Sequence, residues 1–131
     1  MTDPTPSDLH DARVEKVDLA AVLDGLDEFW SQRVVGEANG TLLKVAKGTG
    51  STLWHSHDDQ DETFLVMSGR LVVQLRDRDV TLDPGEMFIV PRGVEHCPIA
   101  PDEARFLILG TSITSNAAGG KPAWSARPAS A

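Results

Sequence analysis

The chain has 131 residues, with 12 Lys and Arg against 20 Asp and Glu, a net charge of −8. That length suits one domain and can bury a core without disulfides or metals as staples. The acidic balance argues against a nucleic-acid surface, which needs concentrated basic residues, and the sequence has no apolar run of about 18 residues to span a membrane.

Residues 1–12 are polar, with Pro4 and Pro6 and no apolar period, so disorder is expected there. The acidic start is unlike a secretory leader. Asp18 is placed to cap a short helix over Leu19–Leu23, ended by Gly25. From Phe29 the pattern turns to strands. Phe29–Gly36 is a first run, Asn39-Gly40 a hairpin turn, and Thr41–Lys47 a strand. Gly48-Thr49-Gly50 reads as a turn and Ser51–His57 as extended chain. Thr63–Met67 and Leu71–Leu75 are strands joined through Ser68-Gly69. Val80–Leu82, Met87–Val90, Val94–Ile99 and Arg105–Leu109 follow, with turns expected at residues 77–79, 83–86 and 101–103. Short strands between Gly, Pro, Asn and Asp turns predict an all-β antiparallel sandwich or barrel. The folded domain is expected over residues 13–113. The Ala-, Gly-, Ser- and Pro-rich stretch 114–131 reads as a flexible tail in which Trp124 is the large apolar residue.

Two segments carry chemistry. The first runs His55-Ser56-His57, four residues, Glu62, six residues, Gly69; the second is Pro91-Arg92-Gly93-Val94-Glu95-His96. Residues i and i+2 share a strand face, so His55 and His57 point together, away from Trp54 and Ser56. Glu62 shares a face with Phe64 and Val66, which places it toward an interior. Three imidazoles and a carboxylate suit a divalent first-row metal such as Fe, Mn, Ni or Zn. Asp61 is the rival carboxylate, but it would face the other way. Cys97 turns away from His96 and reads as a buried structural thiol; being the one cysteine, it fits a reducing compartment. Gln60 lies in the loop between ligands. The absence of tyrosine excludes a tyrosine acid or base.

These segments resemble the two motifs of the cupin superfamily. The first is glycine, five residues, His-x-His, three or four residues, Glu, six residues, Gly. It matches from His55 through Gly69, with the leading glycine displaced by one: Gly50 leaves four residues before His55, and Gly48 leaves six. The second is glycine, five residues, Pro-x-Gly, two residues, His, three residues, Asn. Gly85, Pro91, Gly93 and His96 match it, and Ala100 stands at the Asn position. The wider stretch is similar to small single-domain cupins described as mannose-6-phosphate isomerase-like. The resemblance implies a double-stranded β-helix (jelly-roll barrel) behind a short N-terminal helix. It implies one mononuclear metal on His55, His57, Glu62 and His96, and a homodimer. The expected role is a cytoplasmic metal-dependent enzyme on a small molecule. The metal would act as a Lewis acid in isomerase, cyclase or lyase chemistry, or as a non-haem iron dioxygenase centre. The alternative is a non-catalytic protein that binds or senses a small molecule through the metal. Arg70, Arg76, Arg78, Arg92 and Arg105 are scattered rather than clustered as a phosphate clamp.

Overall fold

The structure, a computed structural model, describes residues 15–112, Thr114 and the backbone of Arg127 and Pro128. The disorder expected for residues 1–12, Trp124, and most of the 114–131 tail lie outside the described residues. Helix α1 (Leu19–Asp24) starts where its cap predicts. Asp18 is extended, and its carboxylate accepts the Ala21 N–H at 3.2 Å. So short a helix needs tertiary support. Leu23 supplies it, packing together with Leu26 against Val45 on the outside of the barrel.

Nine strands occur among the described residues: β1 (Glu28–Phe29), β2 (Arg33–Ala38), β3 (Thr41–Ser51), β4 (Glu62–Ser68), β5 (Leu71–Leu75), β6 (Asp79–Leu82), β7 (Met87–Val90), β8 (His96–Gly110) and β9 (Arg127–Pro128). All pairings are antiparallel, and β9 pairs with β1. The other seven form two faces of a barrel. One runs β2, β3, β8, β4, β7. The other is built from β6, β5, the first part of β8 and the last residues of β3, where Ser51 pairs with Ile99. Strands β3 and β8 belong to both faces, which makes this the double-stranded β-helix expected.

Local expectations are corrected at five points. Gly48-Thr49-Gly50 and Pro101-Asp102-Glu103 are not turns between strands but lie within β3 and β8. There the chain bends from one face to the other, with a register shift between Gly48 and Gly50. A Cβ on Gly48 would overlap the Trp30 ring, with Cη2 at 2.5 Å, so the side chain that closes this corner needs glycine opposite it. The run Phe29–Gly36 is broken at Trp30, whose φ is 64°. Regular pairing of the stretch 51–57 ends at Ser51, although His55 and His96 still exchange backbone hydrogen bonds of 3.0 and 2.9 Å. The next strand begins at His96 rather than Val94.

The interior is apolar and closely filled. Phe64, Val66, Leu71, Val73, Phe106 and Ile108 pack there, each at most 3% exposed. Inward residues alternate along β4 and β5 as the period-2 pattern predicts. Glu62 begins β4 on the same inward face as Phe64, so strand geometry delivers a carboxylate to one end of this interior.

Candidate metal centre

Four side chains meet at that end. One ligand atom from each of His55, His57, Glu62 and His96 can be chosen so that all lie within 4.8 Å of one another. The backbone exchange between His55 and His96 brings the two sequence segments together. A second tie joins them: Gly93 N–H donates to the His57 carbonyl at 2.8 Å. Glu62 and His96 are buried, whereas His55 and His57 form the half-buried side of the cluster.

Hydrogen bonding fixes which ring atoms face the centre. His55 Nδ1 lies 2.7 Å from the Leu53 carbonyl, and His96 Nδ1 lies 2.9 Å from the Val94 carbonyl. A carbonyl only accepts, so each Nδ1 carries its hydrogen and Nε2 keeps a lone pair in the neutral ring. His96 Nε2 is 3.2 Å from Glu62 Oε1. His57 Nε2 is 3.5 Å from the same oxygen, within ion-pair range, yet it is buried without a hydrogen-bond partner. Two ring nitrogens face one carboxylate oxygen, and the lone pair of His96 Nε2 needs something positive between it and that oxygen. One proton cannot serve both nitrogens, but one divalent cation can. The residues therefore fit a metal.

The electrostatics agree. Burial, reinforced by the neighbouring His96 and His57, pushes the His55 imidazole down to about 4, so it is neutral at pH 7. Burial works against ionisation of Glu62, but His57, His96 and Thr114 outweigh it and hold the carboxyl well below its ordinary range. Three neutral imidazoles and one carboxylate give a site of net charge +1 around a divalent ion.

Two further residues support the cluster, and nothing in the sequence pattern marked them. Glu62 Oε2 accepts the Thr114 hydroxyl at 2.6 Å, and Thr114 Oγ1 accepts Gln32 Nε2 at 2.6 Å. A space of about 20 Å³ lies beside them, lined by His55, Glu62, Gln32, Thr52, Phe64 and Thr114 among others. It holds a water or a group of similar size, not a substrate body.

The remaining candidates resolve as follows. Asp61 is outside the cluster; its carboxylate accepts the Arg92 backbone N–H at 2.9 Å. Gln60 is 2% exposed and holds the chain after β8 through the Thr111 and Ser112 N–H groups. Cys97 is buried against Thr52. Trp54 is exposed, with the Arg76 guanidinium 3.8 Å above its ring. Arg92 pairs with Asp61, and Arg105 with Asp24 and Glu103, on the surface. Neither arginine faces the cluster.

A seven-stranded antiparallel barrel with a His-x-His, Glu and His cluster at one end defines the class of small β-barrels that carry a candidate metal centre. Residues 41–110 match the cupin domain family model (Cupin_2), and the chain belongs to that family. It is 29% identical over 79 residues to the uncharacterized protein YdbB of Bacillus subtilis (strain 168), covering 60% of this chain and 70% of YdbB. A crystal structure of a cupin-2 domain containing protein from Shewanella frigidimarina is similar with a TM-score of 0.71 at 37% identity. That likeness covers 74% of this chain and 95% of the other. Protein NMB1881 from Neisseria meningitidis is similar with a TM-score of 0.67 at 25% identity, over 75% of this chain and all of that one.

Proposed function

We propose that this cupin is a metal-dependent enzyme acting on a small molecule. The observation that carries the reading is the buried, partnerless Nε2 of His57 beside the Glu62 oxygen that His96 also faces. His55, His57, Glu62 and His96 would hold one Fe, Mn, Ni or Zn ion. When bound, that ion supplies Lewis-acid polarisation of a carbonyl or hydroxyl oxygen, as in isomerase, cyclase or lyase chemistry, or dioxygen chemistry if it is iron. The chain's own contribution is to orient the imidazoles through the Leu53 and Val94 carbonyls and to keep Glu62 ionised. Phe64, Phe106 and Ile108 exclude water from the inner side. Because the inner space is so small, a substrate would sit at the barrel mouth, on the side of His55 and His57. Arg92 and Arg105 face away, so they give a phosphosugar substrate no clamp.

A second reading has its own support. Apart from His55 and Glu62, the residues lining the inner space include no acid, base or nucleophile stronger than a threonine hydroxyl. That composition suits a protein that binds or senses its ligand through the metal without turning it over. Elemental analysis of protein purified without a histidine tag, alongside His96→Ala, tests the metal. About one ion per chain, lost in the variant, is expected. Iron directs the next step to oxygen-uptake assays with candidate substrates, and turnover separates enzyme from sensor. No metal in either protein after reconstitution refutes both readings.

We further propose a homodimer through the outer face of β4, β7 and β8. Leu65, Met87 and Leu107 lie in one cross-strand row on that face, with Ile89 and Leu109 in the next. Met87 and Ile89 are 55% and 48% exposed. The lone buried thiol accords with a cytoplasmic location.

A further inference from the structure

The cupin match begins at residue 41 and ends at residue 110, yet the Glu62 carboxylate is gripped from beyond both limits. Thr114 and Gln32 do this through a chain of bonds whose polarity can be assigned. Gln32 Oε1 accepts the Thr114 backbone N–H at 3.1 Å. Its amide is thereby oriented, and its Nε2 donates to Thr114 Oγ1 at 2.6 Å. A threonine hydroxyl has one proton. With its oxygen accepting from Gln32, that proton goes to Glu62 Oε2 at 2.6 Å. Gln32, Glu62 and Thr114 are 4%, 3% and 8% exposed, so water is poorly placed to substitute.

The approach of Thr114 is itself secured. Gln60 binds the Thr111 and Ser112 N–H groups and donates to Ser112 Oγ at 2.5 Å. The fully buried Lys44 donates to the Ser112 carbonyl, also at 2.5 Å. Polar side chains from three separate stretches of the barrel thus converge on the residues just after β8. Packing alone would not require this, because apolar groups could cover the barrel end without satisfying so many buried donors.

We propose that Thr114, oriented by Gln32, is a positioning residue of the metal centre. It engages Oε2 of Glu62 so that Oε1 alone is presented to the imidazoles. The inference rests on the metal reading. It adds that metal affinity in this chain depends on residues outside the stretch that matches the cupin family, residues 41–110. By linkage, metal binding must in turn favour the docked state of Thr114.

The test uses the full chain stripped of metal, with Zn²⁺ as probe and affinity read by competition with a chromophoric chelator. Thr114→Val keeps the shape and deletes the proton. It should bind Zn²⁺ about 10–100-fold more weakly, the usual cost of losing a group that orients a ligand. Thr114→Ser restores the hydroxyl and should return affinity to within about threefold of the parent, on the same reasoning. Hydrogen exchange at the Thr114 amide should slow when the parent is saturated with Zn²⁺, a readout independent of activity. Parent-like affinity in Thr114→Val, or failure of serine to rescue, overturns the proposal while leaving the metal reading intact. No Zn²⁺ binding by the parent overturns both. If Thr114→Val does not fold, Gln32→Leu decides in its place. It keeps the hydroxyl but frees its proton to turn away, so parent-like affinity there also overturns the proposal.

Discussion

Replacing His57 with alanine separates the role of the cluster in folding from its role in holding a metal. The His57 side chain is 14% exposed, and its Nε2 is buried without a hydrogen-bond partner. An unsatisfied buried polar atom costs about 1–3 kcal/mol, so truncation removes a penalty as well as some packing. The two nearly offset, and metal-free His57→Ala should lie within about 1 kcal/mol of the parent. With metal present the variants diverge. At a free ion concentration of 100 times the parent Kd, binding stabilises the parent by about 2.7 kcal/mol. Loss of a direct ligand should weaken binding at least ~100-fold, the upper end of what a mere orienting group costs. The same ion concentration then contributes only about 0.4 kcal/mol to the variant. For a domain of this size the metal-induced rise in Tm should be about 10–20 °C in the parent and about 2–3 °C in His57→Ala. Thermal melts in chelator and in Zn²⁺ measure both quantities. An equal metal-induced rise in the two proteins would falsify the assignment of His57 as a ligand. A metal-free variant melting more than about 10 °C below the parent would show that the imidazole is structural instead.

Other outcomes follow from the same geometry. The folded-state His55 value near 4 lies below the ordinary 6.5, so the unfolded chain takes up its proton first as pH falls. Its contribution is present above pH 6.5 and lost between 6.5 and 4, costing the metal-free protein at most about 2–3 kcal/mol. Glu62, also depressed, acts in the same direction, its contribution being lost as pH falls below the ordinary carboxylate range. Urea titrations in chelator at pH 7.5 and 4.5 should show the loss, and equal stabilities would contradict the burial argument for His55. Gly69→Ala should cost about 3 kcal/mol or more by chemical denaturation. Its φ is 75°, and an added Cβ would overlap the Glu103 carbonyl oxygen and lie 2.8 Å from the Ala104 Cα. A cost below about 1 kcal/mol would mean that the β4–β5 connection is not so constrained. The double substitution Met87→Lys with Ile89→Lys should give a monomer in sedimentation while preserving metal content; a dimer that survives it uses another face.

The elements that were legible from sequence are those with a local cause. Asp18 begins α1 because a carboxylate can reach the Ala21 N–H three residues on. Asn39-Gly40 closes the β2–β3 hairpin because both residues adopt positive φ, 53° and 82°. Inward residues of β4 and β5 follow from alternation. The misread places share a different cause. Gly48-Thr49-Gly50 and Pro101-Asp102-Glu103 have the composition of turns, but a barrel corner asks for the same residues. Whether a chain reverses there or only bends depends on what pairs across it. For β3 and β8 that partner lies some fifty residues away, Gly50 beside Ala100, beyond the reach of any local pattern.

The same contrast divides the metal centre. His55, His57, Glu62 and His96 could be found because ligand chemistry restricts residue type, and alternation restricts spacing to i and i+2. Gln32 and Thr114 meet neither condition. They are 82 residues apart, and amides and hydroxyls are common in any loop. Asp61 shows how much the fold adds even where type and proximity look right. It precedes Glu62 by one position, and that single step turns it from the barrel interior to the Arg92 backbone. A carboxylate becomes a candidate ligand here by its parity on β4, and it stays correctly turned by a hydroxyl that arrives from 52 residues later in the chain. Parity can be read from sequence, whereas that hydroxyl appears only once β8 has carried the chain back across the barrel.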